Sequence, residues 1–182
     1  MEEKIILVDL HDRQTGVEYK LEAHKKDMLH RAFSVFIFKE DELLIQKRAS
    51  AKYHSAGLWA NTCCSHPRDG ELLTEAAHRR LREEAGFDTE LTEAGSFVYR
   101  EVFPNGLTEY EYDHVLVGTW AGSFRCNPEE AEEMKYIRID VLEKDVRENP
   151  SCYAAWFPGA LAIALKTMKG IETASYAFLI SR

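Results

Sequence analysis

The chain has 182 residues, 45% apolar and 30% charged, with 23 Lys and Arg against 31 Asp and Glu, a formal charge of −8. That length suits one domain with a sizeable core, and the acidic balance excludes the extended basic face that counterion-release binding to nucleic acid requires. No stretch approaches the roughly 20 apolar residues that span a bilayer, and Met1-Glu2-Glu3 lacks the basic start of a secretory leader, so the expectation is a soluble cytoplasmic protein without membrane or nucleic-acid partners.

In chain order, Ala32 to Phe38 is rich in β-branched and aromatic residues, and Lys39-Glu40-Asp41 separates it from Leu43-Leu44-Ile45; this predicts strand, turn and strand. Residues 71–85 carry Leu72, Leu73, Ala76, Ala77 and Leu81 between charges, with Gly86 just beyond, which is the pattern of an amphipathic helix closed by glycine. Residues 97–103 and 107–120 flank Pro104-Asn105-Gly106, whose Asn-Gly step suits the positive backbone angles of a tight hairpin. Tyr136 to Ile139 predicts another strand, 141–148 a helix stopped by Asn149-Pro150, and 160–168 a last helix. Without repeats or linkers, the simplest architecture is a single α/β (α+β) domain over residues 1–182, a mixed sheet packed between helices, with residues 1–30 as an N-terminal extension.

Cys63, Cys64, Cys126 and Cys152 are too few and too irregular for a disulfide framework, and without a Cys-x-x-Cys pair they cannot form a four-thiolate zinc site. A metal must recruit His or carboxylate. His24 and His30 precede the first core strand, His66 sits in Cys63-Cys64-Ser65-His66-Pro67, and Glu109 and Glu111 stand two apart in the hairpin, where i and i+2 share a strand face. Three imidazoles and two carboxylates suit manganese, iron or zinc; on spacing alone, however, the favoured reading is that Glu109, Glu111 and Asp113 are the wet face of an edge strand and the histidines surface residues. A thiol beside such a site and near a helix start could have a tuned acidity, or the two cysteines could simply fill space.

Residues 65–87 resemble an altered Nudix box: Glu71, Arg79, Leu81, Glu83, Glu84, Gly86 and Phe87 fall on its register, while Ser65 stands where Gly belongs and Arg80 where a helix Glu belongs. Acidic residues of that helix hold Mg²⁺ against a diphosphate, and exchanging one for a guanidinium removes a metal ligand and adds a phosphate donor.

Taken together, Asn61-Thr62-Cys63-Cys64-Ser65-His66-Pro67, the upstream histidines, the altered box and Glu109-x-Glu111 resemble the type I isopentenyl-diphosphate isomerases, a Nudix-related family, over roughly residues 20–160. The resemblance implies interconversion of isopentenyl and dimethylallyl diphosphate through a tertiary carbocation-like state, supplying isoprenoid building blocks. It implies Cys64 and Glu111 as the proton-handling pair, Cys63 as packing, Tyr99 as support for the carboxylate and Trp156 as the π face against the cation. His24, His30, His66, Glu109 and Glu111 are the implied ligands of Mn²⁺ or Zn²⁺, and Glu84 with the Cys64 carbonyl those of a diphosphate-bridging Mg²⁺. Lys20, Arg48, Lys52, Ser65 and Arg80 fall at diphosphate-contact positions. The family usually has Pro-Trp before its last helix, whereas this chain reads Ala155-Trp156-Phe157-Pro158-Gly159, so a second register places Gly159 at the aromatic position. The implied partner is one small allylic or homoallylic diphosphate, bound by a monomer or weak homodimer. Other classes are a Nudix diphosphohydrolase, which Arg80 disfavours, and a metal-stabilised binding module.

Overall fold

The run from Ala32 to Phe38, apolar except for Ser34, belongs to a strand buried on both faces, the setting in which strands lose the apolar-polar alternation. The computed structural model describes the backbone of residues 3–52 and 54–180 and side chains as far as residue 170, so the ends of the expected 1–182 domain lie outside the described residues. One mixed sheet contains β1 (Lys4–Val8), β2 (Gln14–Tyr19), β3 (His30–Lys39), β4 (Glu42–Arg48), β5 (Trp59–Ala60), β6 (Cys63–Ser65), β7 (Thr92–Val102), β8 (Thr108–Thr119) and β9 (Ala131–Arg138). The helices are α1 (Lys20–Lys25), α2 (Leu73–Ala85), α3 (Ile139–Glu148) and α4 (Phe157–Ile180). None of them is long and apolar enough to cross a membrane.

The period-2 geometry of β3 divides the core in two. Phe33, Val35 and Ile37 pack with Ala76, Ala77, Leu81 and Ala85 of α2, while Phe36 and Phe38 pack with Trp156, Phe157, Ala160 and Ala164 at the start of α4. β3 is antiparallel to β4 and β6 and parallel to β8, which β7 flanks on its other side. β8 is therefore an interior strand, and the expectation of a wet edge for its carboxylates does not hold. α2 begins two residues later than its apolar pattern suggested. Glu71 instead accepts two hydrogen bonds from Arg79, at 2.7 and 2.8 Å, tying the preceding loop to the helix, and Gly86 closes it at φ +74°.

Two local expectations need correction. Between β7 and β8 only Gly106 takes a positive φ, +82°; Asn105 stays in the ordinary region and its side-chain oxygen accepts from the Leu107 N–H at 3.1 Å, so the turn differs from the paired left-handed Asn-Gly type. The stretch before the core strand, for which no element was expected, is structured: β1 and β2 form an antiparallel hairpin, and Ile5, Leu7 and Ala23 make a small core of their own.

Candidate active site

Strand register assembles the centre of the site. Glu111 on β8 lies opposite His30 on parallel β3 and opposite Tyr99 on antiparallel β7, so three side chains distant in sequence become lateral neighbours on one face. His66 arrives from the end of β6 and His24 from the last turn of α1. Ligand atoms of His24, His30, His66 and Glu111 all lie within 4.8 Å of one another, and all four residues are buried. The reading of these histidines as surface residues is thereby overturned: His24 and His30 are fully buried and His66 is 5% exposed.

The surroundings set the chemistry of each donor. The Nδ1 of His24 lies 2.6 Å from the Lys20 carbonyl and that of His30 2.8 Å from the Met28 carbonyl, so each ring donates its Nδ1–H outward and offers Nε2 to the cluster. The His30 Nε2 is buried without a hydrogen-bond partner, facing Glu111 Oε1 at 3.5 Å, and His66 Nε2 lies 2.8 Å from that oxygen. Burial pushes the His24 imidazole down to about 4 and that of His66 well below its ordinary value, so both stay neutral, the form that binds metal. Against the cost of burial, the adjacent His30 and His66 rings hold Glu111 well below the usual carboxylate range. Three inward imidazole nitrogens and an ionised carboxylate fit a divalent transition metal. Glu109 stands outside this four-donor group, in an adjoining one with His24 and His54.

One pocket beside the cluster is lined by Cys64, Tyr99, Glu109, Glu111, Trp156, Lys20, Arg48, Lys52, Ser65, His66, Arg80 and Glu84. The residues that the resemblance assigns to catalysis, diphosphate contact and metal binding are all in its wall apart from His24 and His30, which join Glu111 in the buried donor cluster. The adjacent cysteines are separated by the strand's period of two. Cys63 is fully buried with the α2 core and its thiol donates toward Glu84 Oε1 at 3.5 Å, whereas Cys64 faces the pocket and accepts from Arg48 Nη1 at 3.4 Å. Cys64 pairs with Ser34 on the sheet rather than lying in the first turn of α2. Burial, opposed by Arg48, pushes its thiol up to about 12, so it is protonated at neutral pH. The tuning is upward, away from a thiolate.

The Tyr99 hydroxyl donates to Glu111 Oε2 at 2.5 Å and lies 3.1 Å from Glu109 Oε2. Burial and the two carboxylates raise its pKa well above the phenolic value, which keeps it a donor. Burial and the charge of Glu111 push Glu109 up to about 8. Trp156 belongs to the α4 core and also lines the pocket; its indole N–H donates to Asn61 Oδ1 at 2.9 Å and the Arg48 guanidinium lies 5.2 Å from its ring centre. In the alternative register Gly159 would hold this place, but that residue faces Phe97, 3.2 Å from where a Cβ would sit.

Also in the pocket wall, Glu84 of α2 is 2% exposed. It accepts from Arg80 Nη2 at 2.7 Å and from Gln46 Nε2 at 3.1 Å. Burial raises its pKa, with Arg80 opposing. Arg80 also reaches Glu130 at 3.0 Å, and Glu130 pairs with Lys52, so one carboxylate spans two basic side chains. Sequence reading missed Glu130, Gln46 and His54, and placed Asp113 only on a wet strand face. Glu130 and His54 sit in connecting segments without periodicity. Gln46 ends a strand pattern, while Asp113 continues the i, i+2 series of Glu109 and Glu111 and was readable; it is buried and accepts from Ser34 Oγ at 2.8 Å.

Comparison with known proteins shows the family and the fold. Residues 28–157 match the NUDIX domain model. The chain is 47% identical over 178 residues to isopentenyl-diphosphate Delta-isomerase 2 of Aromatoleum aromaticum, covering 96% of this chain and 94% of the relative. Isopentenyl-diphosphate Delta-isomerase 1 of the same organism is 51% identical over 162 residues, 88% and 92% of the two chains. Among solved structures, DR0079 from Deinococcus radiodurans superposes with a TM-score of 0.70 at 19% identity over 88% of this chain and 97% of that one, a likeness of fold. A domain model covering most of the sequence and relatives about half identical along nearly its full length place this chain in the isopentenyl-diphosphate Delta-isomerase family of the NUDIX fold.

Proposed function

We propose that the protein interconverts isopentenyl and dimethylallyl diphosphate, supplying isoprenoid building blocks, with Cys64 and Glu111 handling the protons. The observation that carries the reading is the shared pocket: a protonated thiol, a carboxylate backed by a phenol and imidazoles, and an indole face line one small cavity together with arginines, lysines and a buried glutamate. In the reaction one group adds a proton to a terminal carbon of the alkene, positive charge develops on the tertiary carbon, and the other group takes a proton from the carbon on its far side, restoring the double bond. An alkene is a weak base, so the donor must be positioned and water kept away.

The residues divide the work. Cys64 enters as the thiol, the form with a proton to give. Tyr99 orients Glu111 and holds a proton at its Oε2. Trp156 lays its ring beside the developing cation, an attraction of roughly 2 kcal/mol when desolvated. Lys20, Arg48, Lys52, Ser65 and Arg80 grip the diphosphate oxygens, with guanidinium forks giving the directional bonds. His24, His30, His66 and Glu111, with Glu109, would hold Mn²⁺ or Zn²⁺, and Glu84 with the Cys64 carbonyl would hold Mg²⁺. Such ions supply charge that stabilises ionised carboxylate and bound phosphate. The partner is thus one small diphosphate.

Incubation of metal-loaded protein with isopentenyl diphosphate and Mg²⁺ should yield dimethylallyl diphosphate, and Cys64→Ala and Glu111→Gln should abolish turnover while the fold is retained. Absence of product from folded, metal-loaded protein would refute the reading; release of phosphate from nucleotide diphosphates would favour a hydrolase instead.

A further inference from the structure

His54 sits in the segment that joins β4 to β5, outside any strand or helix and outside the set of residues that the sequence marks as chemical. Left-handed backbone at Ser55, φ +51°, and Gly57, φ +71°, turns this segment back over the pocket, and Arg48 Nη2 donates to the His54 carbonyl at 3.4 Å. The ring is buried, 8% exposed, and held among aromatic neighbours: Phe103 at 5.4 Å between ring centres and Trp156 at 6.3 Å nearly edge-on. A histidine packed this way is oriented by its surroundings. Its Nε2 lies 2.9 Å from Glu109 Oε1.

We propose that His54 is a positioning residue for the metal centre, fixing the Glu109 carboxylate by a hydrogen bond from Nε2–H. Two overlapping donor groups occur, one of His24, His30, His66 and Glu111 and one of His24, His54 and Glu109. With its Nδ1 turned to the Lys20 carbonyl, His24 has one nitrogen to offer, so the groups cannot hold two ions at once through it. Neither His54 nor Glu109 belongs to the four-donor group, but Glu109 shares the Tyr99 hydroxyl with Glu111 while His54 contacts Glu109, so His54 reaches the centre through that carboxylate. The two oxygens of Glu109 are accordingly divided: Oε2 faces the Tyr99 hydroxyl at 3.1 Å and Oε1 faces His54. A carboxylate oxygen has a second lone pair, so Oε1 can accept from His54 and still ligate. Outer hydrogen bonds of this kind orient ligands and strengthen metal binding.

The inference rests on the metal reading proposed above, and its test separates the two. Mn²⁺ and Zn²⁺ affinities are measured by chelator competition on the full chain, unaltered and as His54→Phe and His54→Gln. Phenylalanine keeps the ring among Phe103 and Trp156 but lacks the nitrogen; glutamine restores an N–H near the same oxygen. His54→Phe should bind roughly 10- to 100-fold more weakly, and His54→Gln should recover most of the loss. Parental affinity in His54→Phe overturns the positioning role alone. Equal loss in both variants also overturns it, by making the imidazole itself a ligand. An unaltered chain that binds neither ion overturns this role and the metal reading together.

Discussion

Tyr99→Phe removes one oxygen and leaves the pocket shape intact. The ring keeps its places beside Phe97, 5.7 Å between centres, and Trp156, 6.3 Å. What disappears is the donor to Glu111 Oε2 at 2.5 Å, with its longer contact to Glu109 Oε2. A hydrogen bond to a charged group contributes about 1.5–3 kcal/mol, and its loss at a buried oxygen is not made good by water. If that stabilisation is expressed at the step in which Glu111 exchanges a proton, turnover falls by about 10- to 150-fold, at about 1.4 kcal/mol per factor of ten. The partners of the Tyr99 hydroxyl are Glu109 and Glu111 rather than the groups proposed to grip the diphosphate, so KM for isopentenyl diphosphate should stay close to the parental value. The assay is steady-state conversion by metal-loaded protein, with metal content checked in both forms. Parental turnover in Tyr99→Phe would refute the role given to the phenol, and a raised KM with unchanged kcat would assign Tyr99 to binding.

Two further expectations concern stability. Arg80→Ala leaves Glu84 buried beside Cys63 without its cation, so the chain should lose about 3 kcal/mol, a fall in melting temperature of roughly 10 °C at about 2–4 °C per kcal/mol; an unchanged melting temperature in thermal denaturation refutes the pairing as a source of stability. In metal-free protein, His24 and His54 are held neutral by burial, with values lowered to about 4 and about 3. The unfolded chain binds protons at these sites from about pH 6.5 downward while the folded chain does not, so the histidine contribution to stability is full above that pH and declines toward 4, opposed by Glu109, whose carboxyl, raised to about 8, takes a proton first in the folded chain; urea titrations of the parent and of His54→Phe isolate the histidine part, and a variant that loses as much stability on acidification as the parent contradicts it.

Much of the fold was legible because burial on both faces leaves a compositional trace. The β3 run and the α2 stripe with its closing Gly86 were readable to within two residues. β1, β2 and α1 were not. Ile5 to Val8 is too short to distinguish a strand from any other apolar run, and β2 alternates only between exposed and half-buried positions. The site was legible by a different route. Isolated histidines and glutamates carry no positional signal, and only the joint occurrence of Cys64, His66, Glu109-x-Glu111 and the altered box tied them together. Their convergence is a property of register: one residue of slip between β3 and β8 would send Glu111 to the α2 face and away from His30. His54 and Glu130 escaped notice because their placement depends on how irregular segments fold over the pocket, and no periodicity encodes that.

Arg80 shows how one side chain redirects an inherited frame. Glu71 with Arg79 and Gly86 at the helix end still build the box as a scaffold. At the next position a carboxylate would stand one turn from Glu84 and within reach of Glu130, a concentration of buried negative charge that only clustered cations could neutralise. The guanidinium neutralises it from within the chain, binding Glu84 and Glu130 together. A helix so compensated has less use for several metal ions and retains donors that fit phosphate oxygens. On this argument, grip on a diphosphate is kept while the multi-metal activation of water that hydrolysis needs is lost. The same pocket is then left to other groups, and its wall carries the Cys64 thiol together with the Tyr99 hydroxyl and the Glu111 carboxylate that it binds, the set proposed above to handle the protons.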